Sequence, residues 1–381
     1  SVRLMSIVPA GAPRHRVVIA GAGVAGLEAL IALRDLAGDR VRITMVAPAT
    51  EFWIEAAAVA PLIERPAPAR YDVAQLCAEQ DAEFLNDAVT RVDVHERVIA
   101  TADGHELPYD SLLVALGAER REAFPGTTTY RGSRDVAAVD GLLDDADPEA
   151  PTRIVFVVPS NVAWTLPLYE LALMLSERAA HAGVDAMLTV VTPEAQPLGI
   201  FGRHAADAVA RALEDSDVAV LSGTHVKAIA DGLVIAAPGD VRLPADHVVA
   251  MPQLAGRRLL GLPADPDGFL AVDDHCRVLG LDAIYAAGDG TSFAIKHGGI
   301  AAQQAVSAAR AIARRAGAGV AARPFRPLLQ GKLYAGADDL YLREAIAGGA
   351  GAHTSQASSR ELWWPPSKVV APYLASLLEE R

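Results

Sequence analysis

The chain has 381 residues, 51% hydrophobic and 21% charged, which is ordinary globular usage and long enough for two domains. A balance of 34 Lys and Arg against 47 Asp and Glu leaves a net charge of −13, which argues against nucleic acid and against tight docking on an anionic bilayer. No apolar run reaches the ~20 residues a membrane-spanning helix needs. Ser1 to Ala12 are too weakly basic and apolar for a signal peptide, and Met5 offers a native start, so a soluble, cytoplasmic protein is expected.

The first element is the apolar strand Val17-Val18-Ile19-Ala20, which runs into Gly21-Ala22-Gly23-Val24-Ala25-Gly26 and a helix over Leu27 to Leu36. Gly21 permits the tight turn, Gly23 lets the backbone approach a pyrophosphate, and Gly26 lets the helix pack closely on the strand. The phosphates then rest on the positive end of that helix. Glycines cluster in ordinary turns too, but the strand before and the helix after point to a dinucleotide site. Past Gly38-Asp39 comes a second strand, Val41 to Val46. A carboxylate about 20 residues beyond the glycines normally holds a ribose hydroxyl. Ala47 stands there, followed by Pro48, and Glu51 reads as a solvated loop charge. With Ala47 at that position the nucleotide must be held by other segments, which favours FAD over a simple NAD fingerprint.

Val73, Leu76 and Cys77 share one helical face, so Cys77 reads as buried filler. A strand ending in Val114-Ala115-Leu116-Gly117-Ala118 follows. The acidic, proline-punctuated loop Asp144 to Pro151 precedes a second strand–helix–strand unit: Arg153 to Val158, Leu168 to Ala180 and Val184 to Val191. This alternation implies βαβ units and a doubly wound α/β sheet. The turn of the second unit, Val158 to Thr165, contains no glycine, and Pro159 removes a backbone N–H that would cradle a phosphate. Ser160 or Asn161 reads as a cap for the next helix. Glu194 reads either as a ribose-holding acid or as a solvated one.

The only other cysteine, Cys276, follows His275 beside two aspartates and also reads as structural. Without a C-x-x-C there is no thiol pair for a flavin–disulfide relay. The strand Ile284-Tyr285-Ala286-Ala287 ends in Gly288-Asp289, and Lys296-His297-Gly298-Gly299 opens a helix over Ile300 to Ala313. Ala347 to Ser359 reads as a glycine-, alanine- and serine-rich loop. Trp363-Trp364-Pro365-Pro366 is conspicuous in a chain with 5% aromatics. Val370, Leu374, Leu377 and Leu378 form a helical apolar stripe, flanked by Glu379 and Glu380, that suits packing on the protein's own core or a second subunit better than a membrane.

The segments Tyr109 to Ala118, Pro252 to Val272, Ile284 to Asp289 and Lys296 to Ala305 together resemble FAD-dependent pyridine nucleotide-disulfide oxidoreductases, in particular the sulfide:quinone oxidoreductase and type II NADH dehydrogenase branch. The resemblance spans about Arg16 to Leu378 and departs from that branch in lacking redox cysteines. It implies two Rossmann-like domains, the second inserted in the first: residues 14–118 and 251–323 for FAD, 119–250 for an NAD-type unit, and 324–381 as a C-terminal segment. It implies FAD contacts at Gly21, Gly23, Gly26, Ala47, Ala115, Gly117, Gly288 and Asp289; because reduced flavin is often anionic, the backbone N–H groups of Gly298 and Gly299 and the charge of Lys296 are expected at its pyrimidine end. His297 reads as a proton shuttle or a donor to backbone.

Lys296 and Trp164 are the expected catalytic residues, and no metal site is expected. Trp164 and the returning Trp363-Trp364 segment are expected to line an apolar pocket for a planar acceptor. Three readings remain open: an FAD-dependent oxidoreductase between a small-molecule donor and a quinone or similar acceptor, an NAD(P)H dehydrogenase, and a flavin-binding protein with a degenerate site acting as sensor or interaction module. A homodimer is compatible with each.

Overall fold

A computed structural model describes residues 13–144, 146–335, 338–346 and 355–379, so the reading of Ser1 to Ala12 lies outside the described residues. Two parallel five-stranded sheets organise the chain. In the first, the order is Ile284–Ala286, Ser111–Val114, His15–Ala20, Val41–Val46 and Ala82–Leu85. The central strand pairs in parallel on both sides, Val17 with Ile43 and Val17 with Ser111. Its residues Val17 to Ala20 are buried on both faces, which is why the run is continuously apolar rather than alternating. The strand order reverses across this central strand, so a crevice opens beyond its carboxyl end, where ligands bind in doubly wound sheets.

The second sheet runs Thr128–Thr129, His247–Ala250, Thr152–Val157, Ala186–Val191 and Val218–Leu221, again all parallel. The fold is therefore α/β with two dinucleotide-binding-type sheets, the second formed by chain lying between strands of the first.

The helices are longer than the sequence periodicity predicts. The first spans Val24–Ala37, three residues earlier than Leu27, because the glycine loop itself winds into its first turn. That of the second unit spans Leu166–Ala182, with Pro167 tolerated in the first turn, where a missing N–H costs nothing, and with Gly183 closing it in the left-handed region at φ 68°. The late helix spans Gly298–Arg315 and so includes both glycines.

Leu328–Ala335, Asp338–Ala345 and Gln356–Ser358 make a separate antiparallel sheet. The expected loop over Ala347 to Ser359 is corrected in part: 347–354 lie outside the described residues, but Gln356–Ser358 is a strand against Tyr341–Arg343. Its three residues, Gln356-Ala357-Ser358, carry little β-forming signal, and the pairing with the preceding strand alone makes them a strand. The C-terminal helix, Pro372–Glu379, packs on the chain's own first core through Leu374. Among the described residues no helix is long and apolar enough to cross a membrane.

Candidate functional site

At the carboxyl end of the first sheet the three glycines do different work. Gly21 has φ +111°, and a Cβ there would lie 2.3 Å from the Ala115 carbonyl oxygen. A Cβ at Gly26 would lie 1.9 Å from the Gly21 carbonyl oxygen, so this glycine serves the packing of the helix on the turn more than on the strand. A Cβ at Gly23 meets nothing within 4 Å, and neither does one at Gly117. The loop is thus closed on its protein side and open on the other. That is the shape a pyrophosphate needs at a helix N-terminus, and the residues fit FAD there. Ala47 is buried, and its carbonyl accepts from the Asn86 side chain at 3.1 Å. Glu51 is exposed, as a solvated charge, and pairs with Arg70 at 2.9 Å.

The Gly288–Asp289 turn sits between the two long helices, facing Ala25 of one and Ala301 of the other. Gln304 holds it: its side-chain oxygen accepts from the Gly288 N–H at 2.8 Å, while its amide donates to Thr291 Oγ1 at 3.3 Å. Burial pushes the Asp289 carboxyl up, and Arg120 and Lys296 pull it back. Burial pushes Lys296 down to about 8, against Asp289 and Asp265. Its Nζ donates to the Thr291 carbonyl and lies 3.9 Å from the centre of the Phe269 ring. Lys296 is therefore at the same end of the sheet as Asp289, braced by protein groups.

The space beside the two helix-opening glycines is already taken by protein. A Cβ on Gly298 would lie 2.9 Å from Val369, and one on Gly299 would lie 2.8 Å from the His297 ring. His297 is 7% exposed, its Nδ1 has no partner, and burial pushes its pKa down to about 3 with Lys368 adding to the effect. Burial therefore favours the neutral ring, and a bond from Nδ1 to backbone is not formed. Trp164 covers it, with ring centroids 4.2 Å apart, and meets Phe201 edge-on at 5.7 Å.

The returning tail differs from the expected aromatic wall. Trp363 packs edge-on against Tyr341 at 5.0 Å, and Trp364 is 78% exposed. The tail residue that reaches the helix after Trp164 is Lys368, whose Nζ is bonded to Glu170. Glu170 also accepts from the Tyr334 N–H at 2.8 Å. Lys332 and Arg65 both pair with Asp339 nearby, at 3.0 and 2.7 Å. Burial pushes Glu170 up and Lys368 down, so one proton decides between a charged and a neutral pair. Sequence reasoning missed this group and Glu28. The available signal was a lone acid in ten otherwise uncharged positions, Val24 to Leu33 and Leu166 to Leu175.

In the second domain Glu194 is turned inward. It accepts from the Tyr169 hydroxyl at 2.7 Å and from Thr192 at 3.1 Å, and burial pushes it up. It is partly buried and engaged by its own domain rather than a freely solvated loop acid. Ser160 bonds His225 at 3.1 Å instead of capping the helix. Cys77 and Cys276 are buried, with burial pushing the thiols up to about 11 and about 12, so neither offers a thiolate. Among the described residues no group of His, Cys, Asp and Glu is placed to hold a metal.

The sequence profile of the pyridine nucleotide-disulphide oxidoreductase family matches residues 15–309. Two NADH dehydrogenase-like proteins of Mycobacterium tuberculosis are 30% identical over 214 residues, 53% of this chain and 53% of each relative. The sulfide-quinone reductase of Aquifex aeolicus is 25% identical over 265 residues, 65% of this chain and 61% of that protein. The chain thus spans about half the length of the first curated relatives it matches. Among solved structures, the Aquifex aeolicus sulfide:quinone oxidoreductase superposes with a TM-score of 0.76 at 20% identity, covering 97% of this chain and 90% of that one. The NDH2 of Plasmodium falciparum, solved with NADH, gives 0.67 at 13% identity, covering 89% and 92%. At these identities the superpositions speak for the fold.

Proposed function

The chain belongs to the pyridine nucleotide-disulphide oxidoreductase family and is an oxidoreductase, and from that premise we propose that it moves electrons between a small-molecule donor and a quinone or similar planar acceptor, with non-covalent FAD as its carrier. FAD would supply the two-electron redox centre. Gly21, Gly23 and Gly26, with Ala115, Gly117 and the Gly288–Asp289 turn, would hold it, and Lys296 would place positive charge near it. We divide the chain as the sheets suggest, with 14–118 and 251–323 for FAD, 119–250 for the second unit and 324–381 as the C-terminal segment.

The observation that carries the choice of acceptor is the state of the second unit. Its turn has no glycine, and the acid at the end of its second strand is held internally by Tyr169 and Thr192. A dinucleotide laid there would find no glycine cradle for its phosphates and an acid already engaged by Tyr169 and Thr192. Trp164 instead offers a fixed aromatic plane, and stacking of a neutral planar ligand adds roughly 0.5–1.5 kcal/mol per pair beyond burial. The 30% identity to NADH dehydrogenase-like proteins supports an NAD(P)H dehydrogenase as the alternative.

Anaerobic mixing with NADH and NADPH, followed at the flavin absorbance, separates the two. The expected result is slow reduction with apparent affinities no better than millimolar, and a Trp164→Ala variant that loses quinone-type ligands more than nicotinamides. Saturable reduction at micromolar nicotinamide, faster than ~10 per second and so ordinary for an enzyme, would replace this reading by the alternative.

A further inference from the structure

The C-terminal segment is joined to the nucleotide loop through one side chain. Glu28 lies on the helix Val24–Ala37, just past the glycine loop, and is fully buried. Its carboxylate accepts from the N–H groups of Tyr373 at 3.1 Å and Leu374 at 2.8 Å, in the first turn of Pro372–Glu379. An acid at a helix N-terminus satisfies donors that have no partner within the helix and complements its dipole. Eight residues are too few for a helix to persist alone, so its formation depends on what it docks against. Just upstream, Val369 fills the space beside Gly298, and Lys368 is bonded to Glu170. Val369, Ala371 and Leu374 belong to the same buried cluster as Ala25, Leu27 and Ala301, the residues around the loop and the Gly288 turn.

We propose that Glu28 is a positioning residue that couples docking of the C-terminal segment to retention of the flavin, so that the tail acts as a clamp behind the nucleotide loop. This rests on the assignment of FAD to that loop. Coupling of this kind is reciprocal: if the docked tail favours the flavin-binding arrangement, bound flavin must favour the docked tail to the same degree. Glu28 itself does not touch the cofactor. It acts by fixing the helix whose open N-terminus does.

The test uses the purified flavoprotein and three variants, Glu28→Ala, Glu28→Gln and Leu374→Ala. FAD loss after dilution is read from flavin fluorescence, and amide exchange at residues 373 and 374 is read alongside it. The expected result is FAD release about tenfold faster in Glu28→Ala, within the usual range of such coupling, together with faster exchange at both amides. Glu28→Gln, which keeps an acceptor oxygen, should recover part of each. Should Glu28→Ala fail to fold, Leu374→Ala loosens the tail without touching Glu28 and should raise both rates together. Faster exchange with unchanged FAD release overturns the proposal. A protein that takes up no FAD would instead overturn the cofactor assignment itself, and the coupling with it.

Discussion

Gly23 and Gly26 look alike in the motif but should fail in opposite ways when given a side chain. A Cβ at Gly23 points into open space, so Gly23→Val should fold normally and lose its flavin, since the branched side chain occupies the place of the pyrophosphate. At Gly26 the added atom would lie 1.9 Å from a carbonyl oxygen of the loop, so Gly26→Val should lose structure as well. Circular dichroism and the ratio of flavin to protein absorbance distinguish the outcomes; a Gly23→Val protein that stays yellow would contradict the placement. The motif made both glycines visible, but it could not say which one faces protein and which faces ligand. The orphaned Nδ1 of His297 and the inward turn of Glu194 were invisible for a related reason, because their neighbours come from other parts of the chain.

Among the elements, the first helix carries a titrating joint. Burial pushes Glu28 up to about 7, partly offset by the two backbone N–H groups that it accepts from, against an ordinary 4.5. The folded protein therefore holds this proton to higher pH than the unfolded chain does. The associated stability is fully present below the unfolded value and is lost as pH rises from about 4.5 to about 7. At full effect it is on the order of 3 kcal/mol. Glu28→Gln cannot titrate, so its denaturant midpoint should fall less steeply than that of the parent between those pH values. Parallel slopes would mean that the carboxyl is more solvated than its position indicates. The helix itself was legible from its apolar run and its glycines. Its start was not, because the loop backbone continues into the first turn, and no side-chain pattern marks that continuity.

For the molecule as a whole, the tail ties the second domain to the first. Lys368 meets Glu170 across 198 residues of sequence, and the Tyr373 N–H meets Glu28 across 345. Removing one partner of a buried pair leaves the other charge uncompensated, so Lys368→Met should cost about 3–5 kcal/mol. Adding Glu170→Gln removes the stranded charge while keeping an acceptor for the Tyr334 N–H, and should restore most of that loss. A single variant with a near-parent denaturation midpoint would show that the Lys368–Glu170 pair contributes little to holding the tail. The family, the α/β fold, the glycine loop and the lack of a C-x-x-C were readable directly, because each rests on residues close together in the chain or on composition. Only the folded chain shows what surrounds these segments: Lys368 bonded to Glu170, His297 under Trp164, Glu194 engaged by Tyr169, and Glu28 at the start of the C-terminal helix. Those features are contacts between segments far apart in sequence, where a lone acid in an apolar helix announces only that a partner must exist, and the packing of the domains and tail supplies it.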